Sequence, residues 1–363
     1  MFLLHLTHDR PSRGSDDSVG GSLSGGYRRS PKCHRASDAV QRNSGSETVQ
    51  VRVVRPSDLG ELDRAAWRGA QRADPSLSSP FLAPEFALAV DAARDDARVA
   101  VVDGLGEAPA FFAFSVDEHV GAPIGATISD AQALVGGTDA PWDAPALVRS
   151  SGLESWRFDH LVSTQVAFTP FHHARHASPV ADLSHGHDAY LDEVRARSKD
   201  VLSQSARRRR KLGREVGDVV FEWHDPASAT LETLFAWKSA QYRATGVWDR
   251  FDQPWIVEVV RTLAATVSEG LTGAVATLRA GDTLVAVHLG LLGPDRLVWW
   301  FPAYDPRFAA YSPGLVLLLD LVAESATRGV QLVDLGRGEH HYKLRVATGS
   351  YDVAEGSVPA GAT

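Results

Sequence analysis

The chain has 363 residues, 44% of them hydrophobic and 23% charged, with a formal net charge of −8. That balance excludes a fibrous or wholly disordered protein, and the acidic charge argues against nucleic-acid binding through overall electrostatics. The single cysteine, Cys33, excludes an intramolecular disulfide and a multi-cysteine zinc site.

The longest apolar run of the C-terminal half, Gly314–Val322, is broken by Asp320 and falls short of the ~20 residues of a spanning helix. The start, Met1–Asp9, has no basic segment ahead of its short apolar stretch and does not read as a signal peptide. The expectation is a cytoplasmic protein without a membrane span.

Residues 1–48 are rich in Ser, Gly and Arg and carry seven Lys or Arg against five Asp or Glu. Too little apolar surface is available there to offset the entropy of ordering, so this stretch reads as a disordered tail. Regular structure begins with Val49–Val54, which alternates at period two as a half-buried strand does. Pro56-Ser57-Asp58 offers a helix start with Ser57 as N-cap, and Leu59, Leu62, Ala66 and Ala70 follow at helical spacing. A second helix is predicted over Pro84–Ala93. Strands are predicted at Val99–Val102, Ala110–Phe114, Trp156–Leu161 and Thr164–Phe168. Together, residues 49–170 read as an α/β domain.

Residues 171–187 contain His172, His173, His176, His185 and His187 and read as a polar linker rather than a metal site. Residues 188–350 form a second α/β domain, and 351–363 a tail. Asp188–Val216 is helical in character with a break near Ser198, and its Arg207–Lys211 run spreads cations around every helix face. Val219–Trp223 reads as a strand, then Ser228–Tyr242 and Trp255–Val267 as helices. Three strands, Thr272–Arg279, Leu284–Leu292 and Leu297–Phe301, are separated by the turn sequences Ala280-Gly281-Asp282 and Gly293-Pro294-Asp295. An apolar helix, Gly314–Thr327, stops at Gly329 and leads to a strand at Gln331–Leu335. A strand–helix–strand step of this kind makes parallel neighbours.

Two passages could carry chemistry. Tyr311-Ser312-Pro313-Gly314 opens a helix after a strand and loop, and free amides at such a start can hold an anion. Asp334-Leu-Gly-Arg-Gly-Glu-His-His-Tyr-Lys343-Leu-Arg345 packs carboxylates, histidines, a phenol and cations just beyond a strand end, where α/β sheets line their ligand crevices.

At these residues the chain resembles the CelD/BcsL-type acetyltransferases, a branch of the GNAT superfamily related to the Fem peptidyltransferases. The matching segments are the basic helix Ser198–Gly213, the meander Val275–Phe301, Tyr304-Asp305-Pro306 and Tyr311–Leu315. Asp334 through Arg337-Gly338-Glu339 to Tyr342-Lys343-Leu344-Arg345 completes them, and Pro80–Phe86 and Ser129–Gln132 also look like that family. The resemblance implies an α/β (α+β) GNAT acyltransferase fold, with two GNAT-like domains in tandem and the N-terminal one degenerate. It implies an acetyl-CoA or other acyl-CoA donor and an amine or sugar acceptor.

By that resemblance Lys343 stabilises an oxyanion or a phosphate, while Asp334 and Tyr342 handle or orient protons. Ser312, Gly314 and Leu315 take the donor phosphates, and Arg337, Glu339 and Arg345 bind substrate. The usual GNAT phosphate loop, Arg/Gln-x-x-Gly-x-Gly/Ala, is not fully present: Ala309 stands at the basic position and Ser312 at the first glycine. A Fem-like transfer from aminoacyl-tRNA, with Arg207–Lys211 on the nucleic acid, and an inactive polysaccharide-assembly factor are the competing expectations.

Overall fold

The computed structural model describes residues 39–40, 49–137, 142–338 and 340–361. A two-residue strand β1 (Ala39–Val40) pairs antiparallel with the start of β2 (Val49–Val54). Helices α1 (Glu61–Ala73) and α2 (Pro84–Ala93) follow, then β3 (Ala97–Asp103), β4 (Ala110–Asp117), β5 (Val120–Pro123) and a short β6 (Leu134–Val135). Helix α3 (Ala144–Ser150) and β7 (Ser155–Val162) complete the first half. Strand β8 (His172–Asp182) and helices α4 (His187–Arg197) and α5 (Val201–Glu215) lead into the second.

The second half repeats the order of the first. It runs β9 (Val219–Glu222), α6 (Ser228–Thr245), α7 (Pro254–Ala265), β10 (Thr272–Ala280), β11 (Thr283–Leu292), β12 (Arg296–Tyr304), α8 (Pro313–Thr327) and β13 (Leu332–Asp334). Helix α9 (His341–Val346) and β14 (Gly349–Pro359) end it. One sheet joins the strands in the order β1-β2-β3-β4-β5-β7-β14-β8-β13-β12-β11-β10-β9, with β6 on β4. Each half is an antiparallel meander closed by a parallel step: β5 beside β7, with Val120 opposite Ser155, and β12 beside β13, with Arg296 opposite Leu332. Parallel neighbours need a crossover, which α3 and α8 supply.

The last strand of each half pairs with the other half. Strand β14 lies between β7 and β8, and β8 pairs with β13. Residues 171–187, expected as a linker, therefore contain a central strand, and residues 351–363, expected as a tail, supply most of another. Both read as irregular because their partners lie far away in sequence and their outer ends are polar. Residues Thr164–Phe168, expected as a strand, form none: Thr164 lies in a turn, and Val166–Phe168 open a 3-10 segment over Val166–Phe171. Ser57 does not cap α1; Gly60 does, and the Ser57 amide donates to Asp91. The tail expected over 1–48 lies outside the described residues except for Ala39 and Val40.

Helices α1, α2, α6 and α7 share one apolar core that spans both halves. Phe81 and Phe86 pack edge-on against Trp300 of β12, with ring centroids 5.3 and 6.5 Å away. Helices α4, α5 and α8 bury the opposite face of the second half, and α3 that of the first.

In the first half, the space where β5 and β7 part is filled by chain. Gln132 lies beside β7, its amide on the His160 carbonyl at 3.0 Å and its side-chain oxygen accepting the His160 amide at 2.6 Å. Deleting residues 349–361 should abolish cooperative thermal unfolding, because the interior edges of β7 and β8 would lose their partner; an unchanged melting transition would contradict this topology.

Candidate active site at the parting of two strands

Strands β12 and β13 pair only from Arg296–Leu332 to Val298–Asp334. Beyond that, β13 stops while β12 runs on to Tyr304, so the two diverge. At the point of divergence β12 bulges: Leu289 faces Phe301 and Leu291 faces Val298, which sets Trp299 and Trp300 against Gly290 alone. Gly290 is required, since a Cβ there would meet the Val298 carbonyl at 2.4 Å. His288 fixes the bulge by stacking on Trp299 at 4.0 Å, and its Nε2 accepts the Trp300 amide at 3.2 Å. Burial, with Lys238 nearby, pushes the His288 pKa down to about 3, so the ring is neutral and free to accept.

A pocket lies on either side of this opening. Trp299, Pro302 and Tyr342 line both. The Trp299 side chain is buried, with its indole N–H toward the Tyr342 hydroxyl. Burial pushes the Tyr342 pKa up to about 12, against a smaller effect of Trp299, so the phenol is a proton donor at neutral pH.

Ser312, Gly314 and Leu315 line the first pocket. Ser312 adopts a left-handed conformation, φ 50° and ψ 52°, a strained state for a non-glycine residue. Its carbonyl takes the amides of Leu315 and Val316, and Pro313 has none to give, so Gly314 carries the donor of this turn that the helix does not use. A Cβ on Gly314 would meet only Tyr304, at 3.6 Å, so protein packing does not demand glycine there. The Ser312 hydroxyl accepts from Arg208 at 2.9 Å. Helix α5 thus delivers an arginine to the turn whose own sequence lacks the basic residue. Its neighbour Arg209 is tied to Asp320 and the Val219 carbonyl. Arg345 also lines this pocket and bonds Asp200 at 2.8 Å.

Lys343 and Arg337 line the second pocket, with Lys238, Arg250, Asp130 and His160. The Lys343 ammonium donates to the carbonyls of Gly336 and Arg337, at 2.9 and 3.1 Å. Burial pushes its pKa down to about 8, partly offset by Asp130 and Asp334. Lys238, only 2% exposed, donates to Gln241 and to the Pro302 carbonyl, each at 3.1 Å. Its pKa is pushed down to about 7 by burial, then by Arg250 and Lys343. Desolvation works against a charged His160, but Asp159 and Asp130 outweigh it and raise the pKa.

Lys238 and Arg250 carry no role in the sequence reading. Leu231, Leu234, Phe235, Lys238 and Tyr242 follow the buried stripe of α6, and a lysine on such a stripe is the signal that could have found it. Asp130 and His160 come from the first half, so the pocket is built by both. Glu339 lies outside the described residues.

Asp334 lines neither pocket. Its carboxylate accepts from the Ser178 hydroxyl at 3.0 Å, the Gly336 amide at 2.9 Å and the Tyr351 hydroxyl, with Arg296 at 4.0 Å. These bonds tie the end of β13 to β8, β14 and β12.

Residues 201–344 match the family model described as an acetyltransferase (GNAT) domain. Among solved structures, the chain is similar to the C-terminal domain of a protein named as a lysylphosphatidylglycerol synthetase from Agrobacterium fabrum. That match is 11% identical with a TM-score of 0.51, and covers 83% of this chain and 92% of that one. FemX is 9% identical, TM-score 0.49, with 72% and 87% covered. A tandem GNAT protein from the clavulanic acid biosynthesis pathway is 10% identical, TM-score 0.47, with 87% and 99% covered. No curated protein matches the chain by sequence. The fold is mixed α/β of the GNAT kind, and the first half repeats the strand order of the matched half with its cleft filled. Among the described residues, no helix is long and apolar enough to cross a membrane.

Asp334→Ala should cost about 3–5 kcal/mol of stability by leaving Arg296 buried without its carboxylate. Denaturant unfolding of the full chain reads this directly, and a loss within experimental error would mean that the network is dispensable.

Proposed function

We propose that the protein is a GNAT-type N-acyltransferase that moves an acyl group from an acyl-CoA thioester to the amine of a small acceptor, such as an amino sugar of an envelope or polysaccharide precursor. One observation carries this reading: two pockets approach the gap between β12 and β13 from opposite sides and meet at the same three residues, Trp299, Pro302 and Tyr342. A donor can enter from one side and an acceptor from the other.

The first pocket suits a phosphate-bearing carrier. Arg208, Arg345 and the unused Gly314 amide offer cations and a donor. The donor, when bound, supplies the activated carbonyl and the thiolate leaving group. Lys238, largely uncharged slightly above neutral pH, takes the proton that the attacking amine sheds. Tyr342, protonated at that pH, returns a proton to the departing thiolate. Lys343 sets positive charge beside the Gly336–Arg337 backbone, where negative charge develops on the carbonyl oxygen. Asp334 holds the strand end that positions these groups, in a supporting role.

With an acyl-CoA and an amine acceptor, the rate should rise as the pH passes about 7, the direction expected when a lysine must lose its proton to act. Lys238→Arg keeps the charge but cannot act as the base, so it should remove the rising limb and lower kcat about 100-fold or more. An unchanged profile would reassign the base.

Gly314→Val should leave thermal stability unchanged and weaken acyl-CoA binding, seen as loss of the stabilisation that a saturating ligand gives. This reaches about 2.7 kcal/mol at 100 times Kd. No response of the wild type to any acyl-CoA would favour a non-catalytic assembly factor. Salt-sensitive binding of charged tRNA instead would favour Fem-like transfer.

A further inference from the structure

The second pocket gathers positive charge that its own protein groups compensate only in part. Lys238, Arg250, Arg337 and Lys343 line it, against one carboxylate, Asp130. Arg337 is engaged by Glu355 at 2.9 Å and by the Asp159 carbonyl at 3.0 Å. Among the described residues, the other three have neutral hydrogen-bond acceptors. Lys343 holds two carbonyls, and Lys238 a carbonyl and the Gln241 amide oxygen. The Arg250 Nε lies 3.4 Å from the Thr127 carbonyl, and its guanidinium rests 5.4 Å from the Tyr242 ring centroid.

Three like charges in a half-enclosed space repel one another. The two lysines can relieve the repulsion by losing protons. Arg250 cannot, because a guanidinium keeps its charge at any working pH. Its planar fork suits a carboxylate or phosphate, which it can grip with paired hydrogen bonds. An acceptor bearing only an amine would bring a further positive charge into this field as an ammonium ion. An acceptor with its own oxyanion would neutralise it.

We propose that the acceptor is a bifunctional molecule, an amine that also carries a carboxylate or phosphate, with the oxyanion seated on Arg250 and the ammonium end facing Asp130. The first half of the chain then sets acceptor choice: the Thr127 carbonyl orients Arg250, and Asp130 provides the countercharge for the amine. This inference rests on the acyl-transfer reading for the amine's fate, while the oxyanion site stands on the pocket's charges.

The test uses the full chain in two arms. In the first, acyl-CoA turnover is followed by thiol release with matched acceptors: glycine against glycinamide, and glucosamine 6-phosphate against glucosamine. The anionic member of at least one pair should be preferred about tenfold or more in kcat/KM, the scale of a charge-assisted hydrogen bond. Arg250→Gln should erase the preference and Arg250→Lys should recover part of it. Equal use of neutral and anionic members, or a preference that survives Arg250→Gln, overturns the proposal.

The second arm needs no turnover. Acetate and inorganic phosphate are titrated calorimetrically into wild type, Arg250→Gln and Arg208→Gln, with circular dichroism confirming that each variant is folded. At least one anion should bind wild type at a site that Arg250→Gln loses and Arg208→Gln keeps. Absence of such a site overturns the proposal. Anion binding at Arg250 with no amine acylated would support the oxyanion site and count against acyl transfer alone.

Discussion

The Asp334 carboxylate is the interaction on which this architecture turns. It closes the end of β13 by bonding Ser178 of β8, Tyr351 of β14 and the Gly336 amide, and it faces Arg296 of β12. A buried carboxylate with those partners is stable where an unpaired one is not. Because the bonds sit at the last paired position, the following residues leave β12, and the gap that both pockets use opens there. The bulge at Trp299 and Trp300 widens the same gap from the other strand, held by a neutral His288.

Charge divides the gap into two different environments. On one side, Arg208 and Arg345 stand beside a strained helix start. On the other, two lysines are withdrawn from water with neutral hydrogen-bond acceptors, and desolvation holds their pKa values to about 7 and about 8. The cost of burying them is carried by carbonyl acceptors and by packing from both halves. Perturbed groups converging on a cleft mark it as a candidate functional site.

Much of the second half was legible in its sequence. The turns at Ala280–Asp282 and Gly293–Asp295 and the apolar runs between them specify β10 to β12, and the strand–helix–strand step specifies the parallel pair. The central strands β8 and β14 were not legible. In β8, Pro179 lies mid-strand, where proline usually argues against a central position, and His172, His173 and Arg175 make its start look like a loop. Its partners, β13 and β14, lie more than a hundred residues later. The Ser312 turn and the Lys343 region were visible as polar clusters beside apolar elements. Arg208 was visible only as one cation among five, because which of them meets Ser312 depends on how α5 packs on α8. Asp130 and Arg250 could not be joined by any local pattern, since they meet only when the halves close.

The exchange of final strands between the halves also shapes how the molecule is made. A ribosome delivers the first half complete in sequence but lacking β14, the neighbour that β7 requires. It must wait with an open sheet edge until Gly349–Pro359 have been made, so the two halves mature together rather than in turn. A gene encoding either half alone would specify an unfinished sheet, which ties the two halves into a single heritable unit.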